Sequence, residues 1–321
     1  MKKSLALFSA TAWLLAAPVQ AGTLSLVVEN DSVGGTDRNY TNGLLLGYLF
    51  EDRSGPDFAY DLADKIWGED EDSPRHFSLA LGHSIYTAES RTAVDLQPDE
   101  HPYAAWLYIQ SGLIVSQKNY TDVLKLEIGV VGPAALGEEV QNNFHDIIGV
   151  ERAEGWSNQL RNEPGLATHF ERTWNGWGYE TEDGFGIRVN PHVGASLGNI
   201  LIEARTGFTL SLGRYLDAQF PAARIEPGPA LPPSQSKKRL YWNLFMGMEG
   251  RAVAHNLFLD GSTFRDSHSV DRKVFTGDVH FGITLGTGPV SGSFTYVVRA
   301  KEFETQTSIQ QYGSFTLSYH F

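Results

Sequence analysis

The 321 residues contain no cysteine, so no disulfide framework, thiolate nucleophile or thiolate metal site is available to the chain. Long apolar runs are also missing. After Ala21 nothing approaches the ~18–20 continuous apolar residues of a membrane-spanning helix, which excludes helical spans. Basic residues are in deficit, with 25 Lys and Arg against 38 Asp and Glu. The resulting net charge of −13 argues against nucleic acid as a partner and leaves divalent cations open as a bridge to anionic lipid. The sequence shows no phosphate loop, dinucleotide fingerprint, internal repeat or His-Glu-x-x-His spacing.

At the start, Met1-Lys2-Lys3, an apolar stretch from about Leu5 to Ala17, and Val19-Gln20-Ala21 before Gly22 predict a signal peptide over residues 1–21. Its removal would take away two lysines and leave −13 − 2 = −15 on residues 22–321. The rest is rich in glycine (33 residues) and in aromatics (12 %), a composition of many strands joined by tight turns.

Strict alternation is the main signal. Gly313, Phe315, Leu317, Tyr319 and Phe321 alternate with Ser314, Thr316, Ser318 and His320; Leu124, Leu126, Ile128 and Val130 alternate with Lys125, Glu127 and Gly129. A soluble sandwich would bury the apolar face, whereas a membrane barrel turns it to lipid and fills its lumen with the charges. Alternation alone does not choose. The export signal, segments of ~10 residues with aromatics toward their ends, and a closing strand that finishes on Phe321 favour the barrel. Strands are expected near 22–30, 40–50, 76–87, 103–116, 122–131, 165–175, 184–197, 200–213, 239–253, 272–285, 289–301 and 307–321. The fold class is therefore all-β, a transmembrane antiparallel β-barrel of about 12 strands over residues 22–321, with both ends periplasmic.

From a periplasmic N-terminus, the loops 31–40, 88–102, 132–164, 254–271 and 302–306 face outward with the turn Leu197-Gly198-Asn199. Within 132–164, Leu136, Val140, Phe144, Ile147 and Ile148 recur at helical spacing between Pro133 and Gly149, which predicts a helical outer loop. Glu138, Gln141 and His145 stand three and four apart, and so share a polar face. Two periplasmic connections are longer than turns: Glu51–Arg75, where Asp57–Trp67 fits a small helix with Phe58, Leu62 and Ile66 on one side, and the proline-rich Leu216–Lys238.

Two places could carry chemistry. Residues 31–41 belong to a run from Glu29 to Gly43 in which Asn30, Asp31, Asp37, Asn39 and Asn42 surround two glycines, a set of hard oxygen donors suited to a cation such as calcium, although a polar hairpin loop reads the same way. His145 could serve as a general base, with Gln141 or Glu151 holding its ring; a solvated histidine is the plainer alternative. Gly194-Ala195-Ser196-Leu197-Gly198 matches a nucleophile-elbow pattern but runs from strand to strand, which makes it a barrel turn.

The ordered runs Gly34–Leu44, Ile85-Tyr86-Thr87, Pro102–Tyr108, Gly132–Gln141 with His145, Gly155-Trp156, Gln159, Asn162-Glu163-Pro164 and Phe258–Gly261 resemble those of the outer-membrane lipid A 3′-O-deacylases. That resemblance spans nearly all of the chain after the signal peptide. It implies a twelve-stranded barrel whose site lies between the wall and a helix from an outer loop. It also implies calcium-dependent hydrolysis of the ester that holds the 3′ acyloxyacyl chain on lipid A of lipopolysaccharide, with a histidine activating water much as in secreted phospholipase A2. His145 fills the base position, Asn30 and Asp31 the metal loop, and Thr41 the hydroxyl position. Where family members carry Asp-Arg before Pro-Tyr, this chain has Glu100-His101, which bears on head-group contacts. A monomer in the outer membrane, with its site facing outward, is expected. The competing readings are an outer-membrane phospholipase, for which no serine has a recognisable partner by spacing, and a non-enzymatic pore or adhesin with no demand for His145.

Overall fold

The computed structural model describes residues 21–70, 72–216, 224–225 and 237–321, so the expected signal peptide over 1–21, except its last residue, and most of 216–238 lie outside the described residues. The strands are β1 (Gly22–Asn30), β2 (Asn39–Phe50), β3 (Arg75–Thr87), β4 (Ala104–Ser116), β5 (Tyr120–Val131), β6 (Glu163–Trp174), β7 (Trp177–Glu180), β8 (Phe185–Gly198), β9 (Leu201–Arg214), β10 (Lys237–Asn256), β11 (Phe275–Gly288), β12 (Val290–Arg299) and β13 (Gln310–His320). Helices α1 (Asp57–Trp67), α2 (Gly137–Ile148) and α3 (Leu257–Asp260) interrupt them.

Apart from β6 and β7, each strand pairs antiparallel with the next; β1 also pairs with β13, and β6 with β8, so the sheet closes on itself. The short β7, which sequence reading did not anticipate, continues β6. Both lie against β8, Thr173 opposite His192 and Trp177 opposite Val189, so the register shifts by one residue across the break, where Gly176 stands at φ 54°. Counted that way the barrel has 12 strands.

Burial is inverted relative to a soluble sheet. Leu24, Leu26, Leu44, Leu46, Leu81 and Ile109 are exposed, while the intervening Ser25, Glu29, Ser78, Gln110, Lys125 and Glu127 are buried. Alternation left the choice open, and closure of the sheet makes the charged face the interior. Charges taken out of water need partners. Arg205 reaches Glu171 at 3.0 Å and Glu203 at 3.1 Å, His192 lies 3.0 Å from Glu249, and Arg251 and Arg299 converge on Asp278 at 2.8 and 3.1 Å. Toward the loop end, Tyr40, Tyr86, Trp106, Tyr108, Phe258 and Tyr312 fill the lumen, with Tyr86 stacked on Phe258 at 4.1 Å. From the proline-rich connection, Ile225 packs among Val27, Leu45 and Ile114 and donates its N–H to Glu29 at 2.9 Å. The lumen is a packed interior.

Candidate active site

The site grows from the exterior wall, because residues near the loop end of the strands keep the parity of the exposed leucines. Asn30 continues Leu24 and Leu26 on β1, and His83 and Ile85 continue Leu81 on β3. His83 Nε2 meets the Ala135 carbonyl at 2.8 Å, and Ile85 packs with Tyr103, Ala105, Ala135 and Trp156. The 132–162 loop therefore folds down over the outside of β3 and β4.

In that loop α2 occupies Gly137–Ile148, inside the stretch between Pro133 and Gly149 that the spacing predicts. A 3-10 turn at Pro133–Ala135 precedes it, and Gly149, at φ 72°, ends it by donating its N–H to the His145 carbonyl. Gly137, Gln141 and His145 form its buried face. A Cβ on Gly137 would come within 2.5 Å of both Ala105 and the Trp156 ring, so glycine lets the helix approach the wall. The polar side faces the protein, and Val140, Phe144, Ile147 and Ile148 face away. Glu138 does not join Gln141 and His145 in burial: it is exposed, at the edge of the buried arc formed by Gly137, Gln141 and His145.

His145 is held on both nitrogens. Nδ1 lies 2.8 Å from the Glu151 carbonyl, which can only accept, so Nδ1 carries the proton. Glu151 is thus the ring's partner through its backbone and not through its carboxylate. The return strand of the loop is clasped by Asn142, whose side chain accepts from Ala153 N at 2.8 Å and donates to its carbonyl at 3.2 Å. Nε2 points at Asp37 Oδ2, 3.3 Å away. The other candidate partner, Gln141, bridges instead: its Oε1 accepts from Trp156 Nε1 at 2.9 Å and its Nε2 donates to Asp37 Oδ1 at 3.3 Å. Arg91 Nη1 completes the set, 2.5 Å from Asp37 Oδ2.

Asp37 is therefore the hub that joins the first loop to the helix, and sequence reading did not single it out. Its loop was identified for oxygen donors, but only the fold shows which carboxylate turns toward His145. Arg91 was missed because one arginine in a long loop has no spacing signal.

Asn30 and Asp31 open a 3-10 turn, Asp31–Gly34. Asn30 caps it by accepting from Ser32 N at 2.8 Å, and Gly35, at φ 76°, closes it. Asp31 Oδ2 accepts from Arg38 N at 2.7 Å and Thr36 Oγ1 at 3.0 Å, whereas Oδ1 is buried without a hydrogen-bond partner. Burial, reinforced by the nearby Asp37 charge, pushes the Asp31 carboxyl up to about 8. Such a group calls for a positive charge beside it. Thr41 shares a 2.7 Å hydrogen bond with Thr87 and does not touch His145. Next to the cluster, Tyr103 Oη is buried without a partner, and burial with the Asp37 charge raises that phenol to about 12.

Two other motifs resolve into packing. His101 is buried, stacks on Tyr86 at 5.4 Å and bonds the Pro102 carbonyl at 2.8 Å; burial lowers it to about 4, so it is neutral near pH 7 and offers no cation to a head group. Ser196 lies 2.8 Å from His169 Nδ1, and His169 Nε2 lies 3.2 Å from Glu127, a serine-histidine-acid order that spacing did not reveal. It stands inside the lumen with Arg205 3.3 Å from the hydroxyl, beside a cavity of about 40 Å³ that has no room for a lipid. Ser196→Ala is expected to leave lipid A processing unchanged, as read by mass spectrometry of lipid A; a loss of processing would move the chemistry into the lumen.

A family model described as outer membrane protein LpxR matches residues 4–321. The structure is similar to that of LpxR from Salmonella typhimurium, with a TM-score of 0.76 at 25% identity, covering 93% of this chain and 100% of that one. The β domain of the Bordetella autotransporter Brka is 9% identical with a TM-score of 0.44, covering 94% and 98% of the two chains. No curated protein matches the sequence. The chain belongs to the LpxR family of outer-membrane proteins, the lipid A deacylase family that its loop motifs resemble.

Proposed function

We propose that the protein hydrolyses the ester linking the 3′ acyloxyacyl chain to lipid A, with His145 as the general base. The observation that carries this reading is the His145 ring itself. Its Nδ1 proton is committed to the Glu151 carbonyl, so Nε2 is the basic nitrogen, and Asp37 lies 3.3 Å from it to stabilise the imidazolium that forms. In the serine-hydrolase triad the group that orients the ring holds the nitrogen opposite the base; here the Glu151 carbonyl takes that position, and Asp37 lies beside the basic nitrogen itself.

Nε2 takes a proton from water as the water oxygen bonds to the ester carbonyl carbon, and the carbonyl oxygen becomes an oxyanion. When that intermediate collapses, the bond to the sugar oxygen breaks and Nε2 returns its proton to the departing oxygen. The products are a free acyl acid and a lipid A bearing a hydroxyl. General-base assistance of this kind contributes ~10²–10⁴ in rate. Gln141 and Arg91 hold Asp37 in place, and Trp156 holds Gln141.

The donors of the first loop fit a hard cation. Asp31 Oδ1 is buried with no partner, and the Asn30 side-chain oxygen keeps a second lone pair beyond its bond to Ser32. Among the described residues no group of three or more His, Asp or Glu side chains forms a cage, so neutral oxygens would complete the coordination, as calcium accepts. Calcium bound there would supply positive charge for the developing oxyanion.

The substrate is reached from the lipid side, since the site is on the exterior wall beneath α2. Gly22 and Phe321 meet at the opposite end of the barrel from the site, with Gly22 N bonded to the Phe321 carbonyl at 3.1 Å. With both termini periplasmic, the site faces outward, into the leaflet that holds lipopolysaccharide. A pore is disfavoured by the packed lumen. Lipid A from cells that express the folded chain with calcium present is expected to lose the mass of one 3′-linked acyloxyacyl unit. An unchanged spectrum refutes the deacylase reading.

A further inference from the structure

Helix α1 is not part of the site, yet it is built as a membrane element. It lies against the outside of the wall at the end that carries the termini, with Ala59 and Tyr60 packed with Phe77 and Leu113, Phe50, Leu79 and Leu124 alongside, and Ala63 also buried. Two alanines one turn apart keep that face flat, so the helix axis comes close to the sheet. The rest of its circumference is divided. Phe58, Leu62 and Ile66, at 67%, 43% and 51% exposure, form one flank, and Asp57, Asp61 and Lys65 form the other.

Two contacts fix which flank points where. The Phe58 ring meets the Phe77 ring edge-on at 6.1 Å, while Asp64 pairs with Arg75, which also donates to the Gly68 carbonyl at 2.5 Å. Phe77 lies farther along β3 toward the middle of the barrel than Arg75, which begins the strand. The apolar flank therefore faces the lipid-exposed belt, and the charged flank faces the rim. At its C-terminal end, Trp67 Nε1 donates to Asp122 at 2.7 Å, and Arg172 holds the same carboxylate at 2.6 Å.

The flank continues an established surface. Directly beyond Phe77 and Leu113 come the exposed Leu81 and Ile109, and beyond these the wall is covered again, by the α2 loop over Ile85 and Ala105. Phe77 and Ile85 are separated by eight residues of strand, about 26 Å at ~3.3 Å per residue, or about 20 Å along the membrane normal at ~40° tilt. An outer-membrane barrel carries an apolar band ~25 Å tall. Helices α1 and α2 thus bracket one hydrocarbon thickness on the same two strands.

We propose that α1 is an interfacial helix whose Phe58, Leu62 and Ile66 insert among the acyl chains of glycerophospholipids in the periplasmic leaflet, fixing the depth of the wall that carries the site. Its apolar flank covers lipid and its acidic flank stays in water, the division expected of a helix lying in the plane of the interface.

The absence of cysteine makes the test direct. Single-cysteine variants Leu62→Cys, Ile66→Cys, Asp61→Cys and the belt reference Leu81→Cys, each nitroxide-labelled, are refolded into phosphatidylcholine vesicles, and only preparations showing the gel mobility of the folded barrel are measured. Labels at Leu62 and Ile66 are expected to be relaxed by oxygen and shielded from a water-soluble nickel chelate, as at Leu81, with that ratio reversed at Asp61. Nickel accessibility at Leu62 and Ile66 equal to that at Asp61 would place the flank in water and overturn the proposal. Shielding from both reagents would show a protein surface, such as a second copy of the chain, covering it, and would overturn it equally.

Discussion

His145→Ala is expected to lower lipid A deacylation by ~10²–10⁴ while the barrel still assembles. The side chain lies in a loop helix outside the barrel, so the strand pairing that closes the sheet does not depend on it. Mass spectrometry of lipid A gives the activity, and the shift in gel mobility between heated and unheated protein gives the assembly. Wild-type levels of product from an assembled His145→Ala barrel would remove the histidine from the chemistry. Asp37→Asn separates the ring's orientation from its basicity. Nδ1 still bonds the Glu151 carbonyl in that variant, so the ring stays in place, but the charge that stabilises the imidazolium is gone. A smaller loss than in His145→Ala follows, and it falls on kcat more than on KM because the imidazolium exists only after water has given up its proton.

Removing the first-loop carboxylate should cost nearly as much. Asp31→Asn keeps the size of the side chain and its hydrogen bonds with Arg38 N and Thr36, but withdraws the negative charge that an adjacent cation needs. A loss of ~10²–10³ is expected, comparable to removing an oxyanion-stabilising group. The wild type stripped with a calcium chelator should fall to the same level, and added calcium should restore the wild type but not the variant. Activity that survives exhaustive chelation would sink the metal assignment. If Asp31→Asn instead raised the thermal stability of the loop without changing activity, the buried carboxylate would be a structural cost with no catalytic return.

The strands were legible because a closed antiparallel sheet imposes a period of two on every segment, whichever face is wet. Leu124 to Val130 and Gly313 to Phe321 show it directly, and the observed β5 and β13 fall where that alternation runs. The interruption at Gly176 was not legible, since a bulge leaves the period intact on both sides of it. Helix α2 was visible from the spacing of Val140, Phe144 and Ile147, but the spacing says only that two faces differ. Which face touches protein depends on the medium, and beside lipid the polar face turns inward, contrary to the rule for a helix on a soluble domain.

The site divides in the same way. His145 and the oxygen donors of the first loop were nameable from residue type and loop position, and the family resemblance singled out Asn30, Asp31 and Thr41 among them. Asp37, the Arg91 that holds it and the backbone carbonyl of Glu151 were not, because they come together around His145 only when loops 31–38, 88–103 and 132–162 close over one patch of wall. By itself, then, the sequence determined the strand pattern, the even count, the helix in the third outer loop and the histidine to test first. Only the tertiary structure decided that the charged strand faces look inward, that Asp37 and not Glu151's carboxylate faces the ring, and that Phe58, Leu62 and Ile66 look toward the belt. Periodicity is a property of neighbours along the chain, whereas a partner across a closed barrel, and the solvent on each side of its wall, are set by where distant strands come together.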